Sequence, residues 1–246
     1  MKKVFSSLVL AGILALVAAM PVAAVVPSCD PGRASNPGTV TTYSEVTLFG
    51  SPYIDDVRAK LRDMNPFVEA GSNSYAYVSL RIDSNNYVRF GTRRSPSGVF
   101  RIFVTVVEGG TVIANKTYSE SQANAVLETT DDPDGILNGS GGMHRFTINR
   151  AALGDYFEVL VDGNQLEKFK GWAFEPERAR VGVEINDGGS QWWGDENQML
   201  LDNIEIHNNS DVEIQSNLSL VNNTNKAATF LSADGRLMSV WDEDCV

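Results

Sequence analysis

The chain has 246 residues, of which 43% are hydrophobic and 21% charged, and 20 Lys+Arg against 31 Asp+Glu leave a net charge of −11. A chain this apolar is not a disordered one, and at this length a single core closes without cross-links. The acidic balance argues against nucleic acid and anionic membrane surfaces as partners, because both repel a negative surface.

Residues 1–24 open with Lys2 and Lys3, continue as an uncharged apolar run from Val4 to Met20, and end in small residues around Pro21. This is the layout of a secretory signal cut after Ala24, although the run is nearly long enough to stay as an anchor. The expectation is a secreted, extracellular or cell-surface protein with no transmembrane segment after cleavage. Residues 25–38 are a Pro/Gly/Ser-rich arm with no periodicity. Export changes the meaning of the two cysteines, Cys29 and Cys245. A bridge between them would close most of the mature chain, worth about 5 kcal/mol on the loop-entropy model. Pairing between molecules is the alternative, and spacing alone does not choose.

From residue 39 onward the dominant period is two. Val57, Ala59 and Leu61 alternate with Arg58, Lys60 and Arg62, which predicts a strand over 53–63 rather than a short helix. The same alternation runs through Tyr75–Asp83, Val99–Gly109, Tyr156–Gly163, Ala179–Asp187 and Met199–His207. Turn residues separate these segments, and Asp162-Gly163 between "FEVLV" and "QLEKF" predicts a tight hairpin. Beyond His207, "DVEIQSNLSLV" and "AATFLSADGRLMSVW" keep the alternation around an Asp234-Gly235 turn. Five Asn-x-Ser/Thr sequons, at Asn115, Asn138, Asn208, Asn217 and Asn222, point to surface polar segments. About a dozen short strands with one apolar face each predict an all-β antiparallel sandwich.

The runs "MHRFTINRAALGDYFEVLVDGNQLEKF", "RVGVEIND" and "MLLDNIEI", with "YAYVSLRIDSNNYVRFGTR" upstream, resemble the concanavalin A-like lectin/glucanase (laminin G-like) jelly-roll superfamily. The resemblance spans 39–207 and implies a jelly roll there, with 208–246 as additional C-terminal strands. It does not select a function, since such folds carry lectins, glycosidases, lyases and adhesive modules.

Catalytic motifs are missing from the sequence. No Glu-x-Asp-x-x-Glu pair is present, and simple alternation puts Glu205 on the face opposite Asp202. Neither a Gly-x-Ser-x-Gly elbow nor the lyases' Gln-Ile-His strand occurs. No catalytic residue is therefore expected. Binding has better candidates, because sugars stack on aromatic rings beside polar groups. Trp192 and Trp193, in "NDGGSQWWGDENQ", and Trp172, in "KGWAFEP", are the candidate rings, unless they plug the ends of the sandwich. Arg93 and Arg94 are candidates for gripping acidic sugars, unless they sit in a solvated turn. Asp131, Asp132 and Asp134, in "TTDDPDG", are candidate Ca2+ ligands, with acidic turn residues in water as the alternative. The expected function is a non-catalytic carbohydrate-binding or adhesive protein whose partner is a glycan or cell-surface polysaccharide. Self-association through the terminal strands, as a subunit of an extracellular layer or filament, is the first alternative. A polysaccharide hydrolase or lyase is the second.

Overall fold

The computed structural model describes residues 40–49, 52–62, 73–95, 97, 99–119, 121–122, 125, 143–151, 156–170, 174–185, 200–223 and 227–242. These form fourteen strands. In chain order they are β1 (Val40–Thr47), β2 (Ile54–Arg62), β3 (Ser74–Arg81), β4 (Tyr87–Arg94), β5 (Phe100–Glu108), β6 (Thr111–Tyr118) and β7 (Met143–Arg150). Then follow β8 (Tyr156–Val161), β9 (Asn164–Lys170), β10 (Arg178–Ile185), β11 (Leu200–Asn208), β12 (Ser219–Asn222), β13 (Ala227–Leu231) and β14 (Met238–Asp242). They pair as two seven-stranded antiparallel sheets, in the orders β12-β1-β10-β3-β4-β5-β6 and β13-β14-β11-β2-β7-β8-β9. The antiparallel sandwich expected from the alternation is the fold observed.

The core follows the same period. Val57, Ala59 and Leu61 of β2 and Val88 and Phe90 of β4 are inaccessible to solvent. Phe90 meets Phe146 of the opposite sheet edge-on, with ring centres 5.1 Å apart, a geometry that adds about 1 kcal/mol to the area buried. The Asp162-Gly163 hairpin forms as predicted, with positive φ at both residues (49° and 84°) and Val161 opposite Asn164. An aspartate there does more than turn the chain. Its Oδ1 accepts from Arg145 N–H at 2.7 Å, and its Oδ2 accepts from Nδ1 of the buried His144 at 2.7 Å. The hairpin is thereby tied to β7.

The C-terminal strands add to the edges of both sheets. β12 pairs with β1, and the β13–β14 hairpin pairs with β11 through Leu200 and Leu201. Asn208 departs from the surface reading of its sequon: it is 7% exposed, and its Oδ1 accepts from the backbone N–H groups of Ser210 and Val212. Asn115, Asn217 and Asn222 are exposed.

Candidate functional site

The outward positions of the first sheet carry an unusual set of side chains. Across five successive strands, Tyr43, Gly182, Tyr77, Gly91 and Phe103 stand opposite one another in a single row. Aromatic and glycine alternate, and the glycines cannot be replaced without collision. A Cβ on Gly91 would lie 2.0 Å from the Ala76 carbonyl oxygen, and one on Gly182 would lie 2.4 Å from Tyr43 Cβ. The neighbouring strands therefore approach at these two positions more closely than any side chain permits. Although they point away from the core, Tyr43, Tyr77 and Phe103 are each less than a tenth exposed.

Arginines lie across this low row. Arg89, one step along β4 from the row, places its guanidinium carbon 3.8 Å from the Tyr77 ring centre and 4.7 Å from that of Tyr75. It reaches past the glycines to Glu184, with Nη1 donating to the carboxylate at 2.9 Å. Arg180 lies 3.9 Å from the Tyr43 ring centre and is paired with Glu45. Arg81 sits 5.7 Å from the Tyr87 ring centre and donates from Nε and Nη2 to the Asp83 carbonyl at 3.1 and 2.7 Å. Each stacked guanidinium is worth about 0.5–2 kcal/mol, the larger values belonging to desolvated sites. Arg81, Arg89, Arg180 and Glu184, with Tyr43, Tyr77 and Tyr87, line a cleft of about 250 Å³.

The electrostatics follow from burial and from the crowding of cations. Burial pushes the Tyr77 hydroxyl above its ordinary range, and the Arg89 charge offsets only part of that rise. Burial, and after it the neighbouring Arg180 charge, lower the pKa of Arg81. Two guanidiniums thus share a partly desolvated surface, and the Glu45 charge offsets only part of the fall at Arg81.

The outer face of the second sheet is built differently. There Arg58 donates from Nε to Asp56 at 2.8 Å and lies 3.6 Å from Glu205, while Lys168 meets Glu158 at 3.2 Å. For Arg58, burial lowers the pKa, but the Asp56 hydrogen bond and the Asp56 and Glu205 charges outweigh it and the net direction is up. Two clefts, of about 460 and 490 Å³, lie over this face and share Asp56, Arg58 and Asn149. Here the structure corrects one expectation. Asn203 has φ of 49° and a bulge interrupts the register between Asp202 and Glu205, so both acids face outward, opposite Lys60 and Arg58 respectively. Simple alternation placed them on opposite faces because it cannot count an inserted residue.

Among the residues expected to bind, Arg93 belongs to the aromatic face. It lies at the end of β4, 5.8 Å from the Tyr75 ring centre, and donates from Nη2 to Asn73 Oδ1 at 3.1 Å. Arg94 follows it in a regular strand and so points to the other side. Both are strand residues rather than turn residues. Trp172, Trp192, Trp193, the acids Asp131, Asp132 and Asp134, and both Cys29 and Cys245 lie outside the described residues. Among the described residues, no three His, Cys, Asp or Glu side chains are grouped to hold a metal ion. Sequence reasoning passed over Arg81, Arg89 and Arg180, which come together only through the register of β3, β4 and β10. The available signal was an isolated glycine inside each of two strand patterns, "RFGTR" and "RVGVE".

No protein-family model matches the sequence, and no curated protein does. Among solved structures, a scytalido-glutamic peptidase with a transition state analog inhibitor overlaps 84% of this chain and 100% of its own, with TM-score 0.55 and 9% identity. A second structure of scytalido-glutamic peptidase, with a peptide-based transition state analog, covers 85% of this chain and 100% of its own, with TM-score 0.51 and 10% identity. A Bacillus licheniformis β-glucanase overlaps 59% of this chain and 58% of its own, with TM-score 0.37 and 10% identity. At such identities the first two likenesses speak to fold alone, and the third overlap is too slight to carry an argument.

Proposed function

We propose that the chain is an exported, non-catalytic carbohydrate-binding protein that holds a glycan in the cleft on the first sheet. The observation that carries this reading is the Arg89–Glu184 couple, 2.9 Å apart among cleft-lining tyrosines. A sugar's neighbouring hydroxyls each donate and accept, and a guanidinium beside a carboxylate is the matching donor–acceptor set. Ring stacking plays the smaller part, since guanidiniums already cover Tyr77 and Tyr43.

Binding without cleavage is supported by the disposition of the acids. Glu45 and Glu184 are the outward carboxylates of β1 and β10, and each is engaged by an arginine. Glu184 stands opposite Thr41 on β1, four residues from Glu45, which separates their backbones by roughly 13 Å along the strands, and the two carboxylates are held by different arginines. Glycosidase carboxylates stand about 5–9.5 Å apart.

A glycan array probed with the wild type and with Glu184→Gln tests the reading. Binding of a defined set of glycans, reduced about tenfold or more by the substitution, is expected, with no new reducing ends released on incubation. Release of reducing ends would overturn the non-catalytic part. Binding unchanged by Glu184→Gln but lost in Trp192→Ala or Trp193→Ala would move the site to the tryptophans.

A further inference from the structure

Resting on that reading of the cleft, we infer that the glycan it takes is acidic, bearing carboxylate or sulfate groups, and that Arg81 is the residue that receives the charge. Among the described strands, the outward positions of β1, β10, β3, β4 and β5 carry six arginines, namely Arg81, Arg89, Arg93, Arg101, Arg178 and Arg180, against two glutamates, Glu45 and Glu184. The chain as a whole carries −11. A concentration of one sign on one face of a protein of the opposite sign draws a ligand charged like the rest of the molecule to that face alone. The second sheet, by contrast, intersperses its cations with four outward acids, Asp56, Glu158, Asp202 and Glu205.

Glu184 and Glu45 account for Arg89 and Arg180. Arg81 also lines the cleft, yet among the described residues no carboxylate lies within 4 Å of it, and the acceptor it reaches is a neutral carbonyl. A guanidinium is built to meet a carboxylate or sulfate through two parallel N–H groups, and such charge-assisted bonds are about twice as strong as neutral ones. Arg81 stands in register with Arg178 on one side and Tyr87 on the other. An anionic group arriving there would lower the repulsion among Arg81, Arg178 and Arg180 as well as bond to Arg81.

An acidic sugar makes different demands from the other polyanion that arginine–aromatic sheets hold. Single-stranded nucleic acid needs open ring faces on which bases stack. Here Arg89 lies over Tyr77 and Arg180 over Tyr43 at stacking distance. What the cleft offers is guanidinium edges and hydroxyls, which suit a non-aromatic polar chain.

Titration calorimetry of the full mature chain tests the inference with five probes. They are oligogalacturonate, its methyl ester, a sulfated galactan oligosaccharide, its desulfated form, and oligothymidylate. The expected result is that one or both acidic sugars bind at least about tenfold more tightly than their neutral counterparts. Arg81→Gln should erase that preference, Arg81→Lys should restore part of it, and Arg58→Gln on the second sheet should leave it intact. Whichever anion the protein prefers identifies carboxylate or sulfate as the group recognised. Equal binding of acidic and neutral sugars would overturn the charge inference and leave the glycan reading standing. Oligothymidylate binding as tightly as the acidic sugars would overturn the glycan reading. No binding by any probe would overturn both. Circular dichroism melts of the variants confirm that a lost preference is not lost folding, and Arg81→Lys keeps the test open if Arg81→Gln does not fold.

Discussion

The two sheets of this sandwich share strand number, direction and core period, yet their outer faces solve different problems. On the second sheet, acids and bases alternate and find each other: Arg58 with Asp56 and Glu205, Lys168 with Glu158. On the first, arginines lie flat on aromatic rings, and the low glycine row lets Arg89 cross Tyr77 to reach Glu184. Shared strand number and direction therefore say little about what a face does. The difference rests on which side chains the register lines up, and especially on two positions that have no side chain at all.

The first sheet is least tolerant of change at its two glycines. Gly182→Val and Gly91→Val should each cost about 3 kcal/mol or more, or abolish folding, because the added carbon meets backbone that cannot move aside. Lys60→Ala, on the outward face of β2, should change the urea midpoint by less than about 0.5 kcal/mol in equivalent stability. Comparable losses at Lys60 and the glycines would mean that the two faces are equally tolerant. A smaller effect is expected from the ions. Arg58→Gln should lower stability by about 1 kcal/mol in denaturant titrations, since it strips Asp56 and Glu205 of a half-buried partner. The same substitution should leave glycan binding untouched, whereas Arg89→Gln should reduce binding about tenfold or more in the array experiment.

A pH-dependent effect lies where the edges of the two sheets meet. Lys116 on β6 and the Tyr118 hydroxyl (3.0 Å) both donate to Glu167 on β9, joining the edge strands of the two sheets. Burial raises the Glu167 pKa, but the Lys116 and Tyr118 hydrogen bonds outweigh it and the net direction is down. A carboxylate whose pKa is lower in the folded state stabilises above its unfolded value, near 4.5, and that contribution fades as pH falls through the folded value. Glu167→Gln should therefore cost less than about 1 kcal/mol at pH 7 and a smaller amount at pH 3, as read from urea midpoints at the two pH values. A difference undiminished at pH 3 would assign the edge contact to packing rather than charge.

Much of the fold was legible from alternation alone. The strands at Ile54–Arg62, Tyr156–Val161 and Arg178–Ile185 lie where period two places them, because one face of each must enter the core. The Asp162-Gly163 turn was legible for a local reason, the positive φ that only a few residue types accept. The site was less so. Arg93 was expected only together with Arg94, as a grip for acidic sugars or a solvated turn, and its place beside Tyr75 was not foreseen. Arg81, Arg89 and Arg180 sit on strands remote in sequence, and no local pattern marks them as neighbours. The facing of Asp202 and Glu205 was misread because a bulge at Asn203 changes parity without changing composition.

Legible in the sequence were most of the strands (though not Val40–Thr47 or Thr111–Tyr118), a tight turn with special dihedrals and the acidic character of the whole. Those properties are local or additive, fixed by side-chain period, by φ and by charge. Tertiary structure decided the pairing order of fourteen strands, the bulge in β11 and the row in which Tyr43, Gly182, Tyr77, Gly91 and Phe103 meet. Register is a collective property of neighbouring strands. A shift of one residue would turn every arginine of the cleft toward the core, and only the packed sandwich holds it in place.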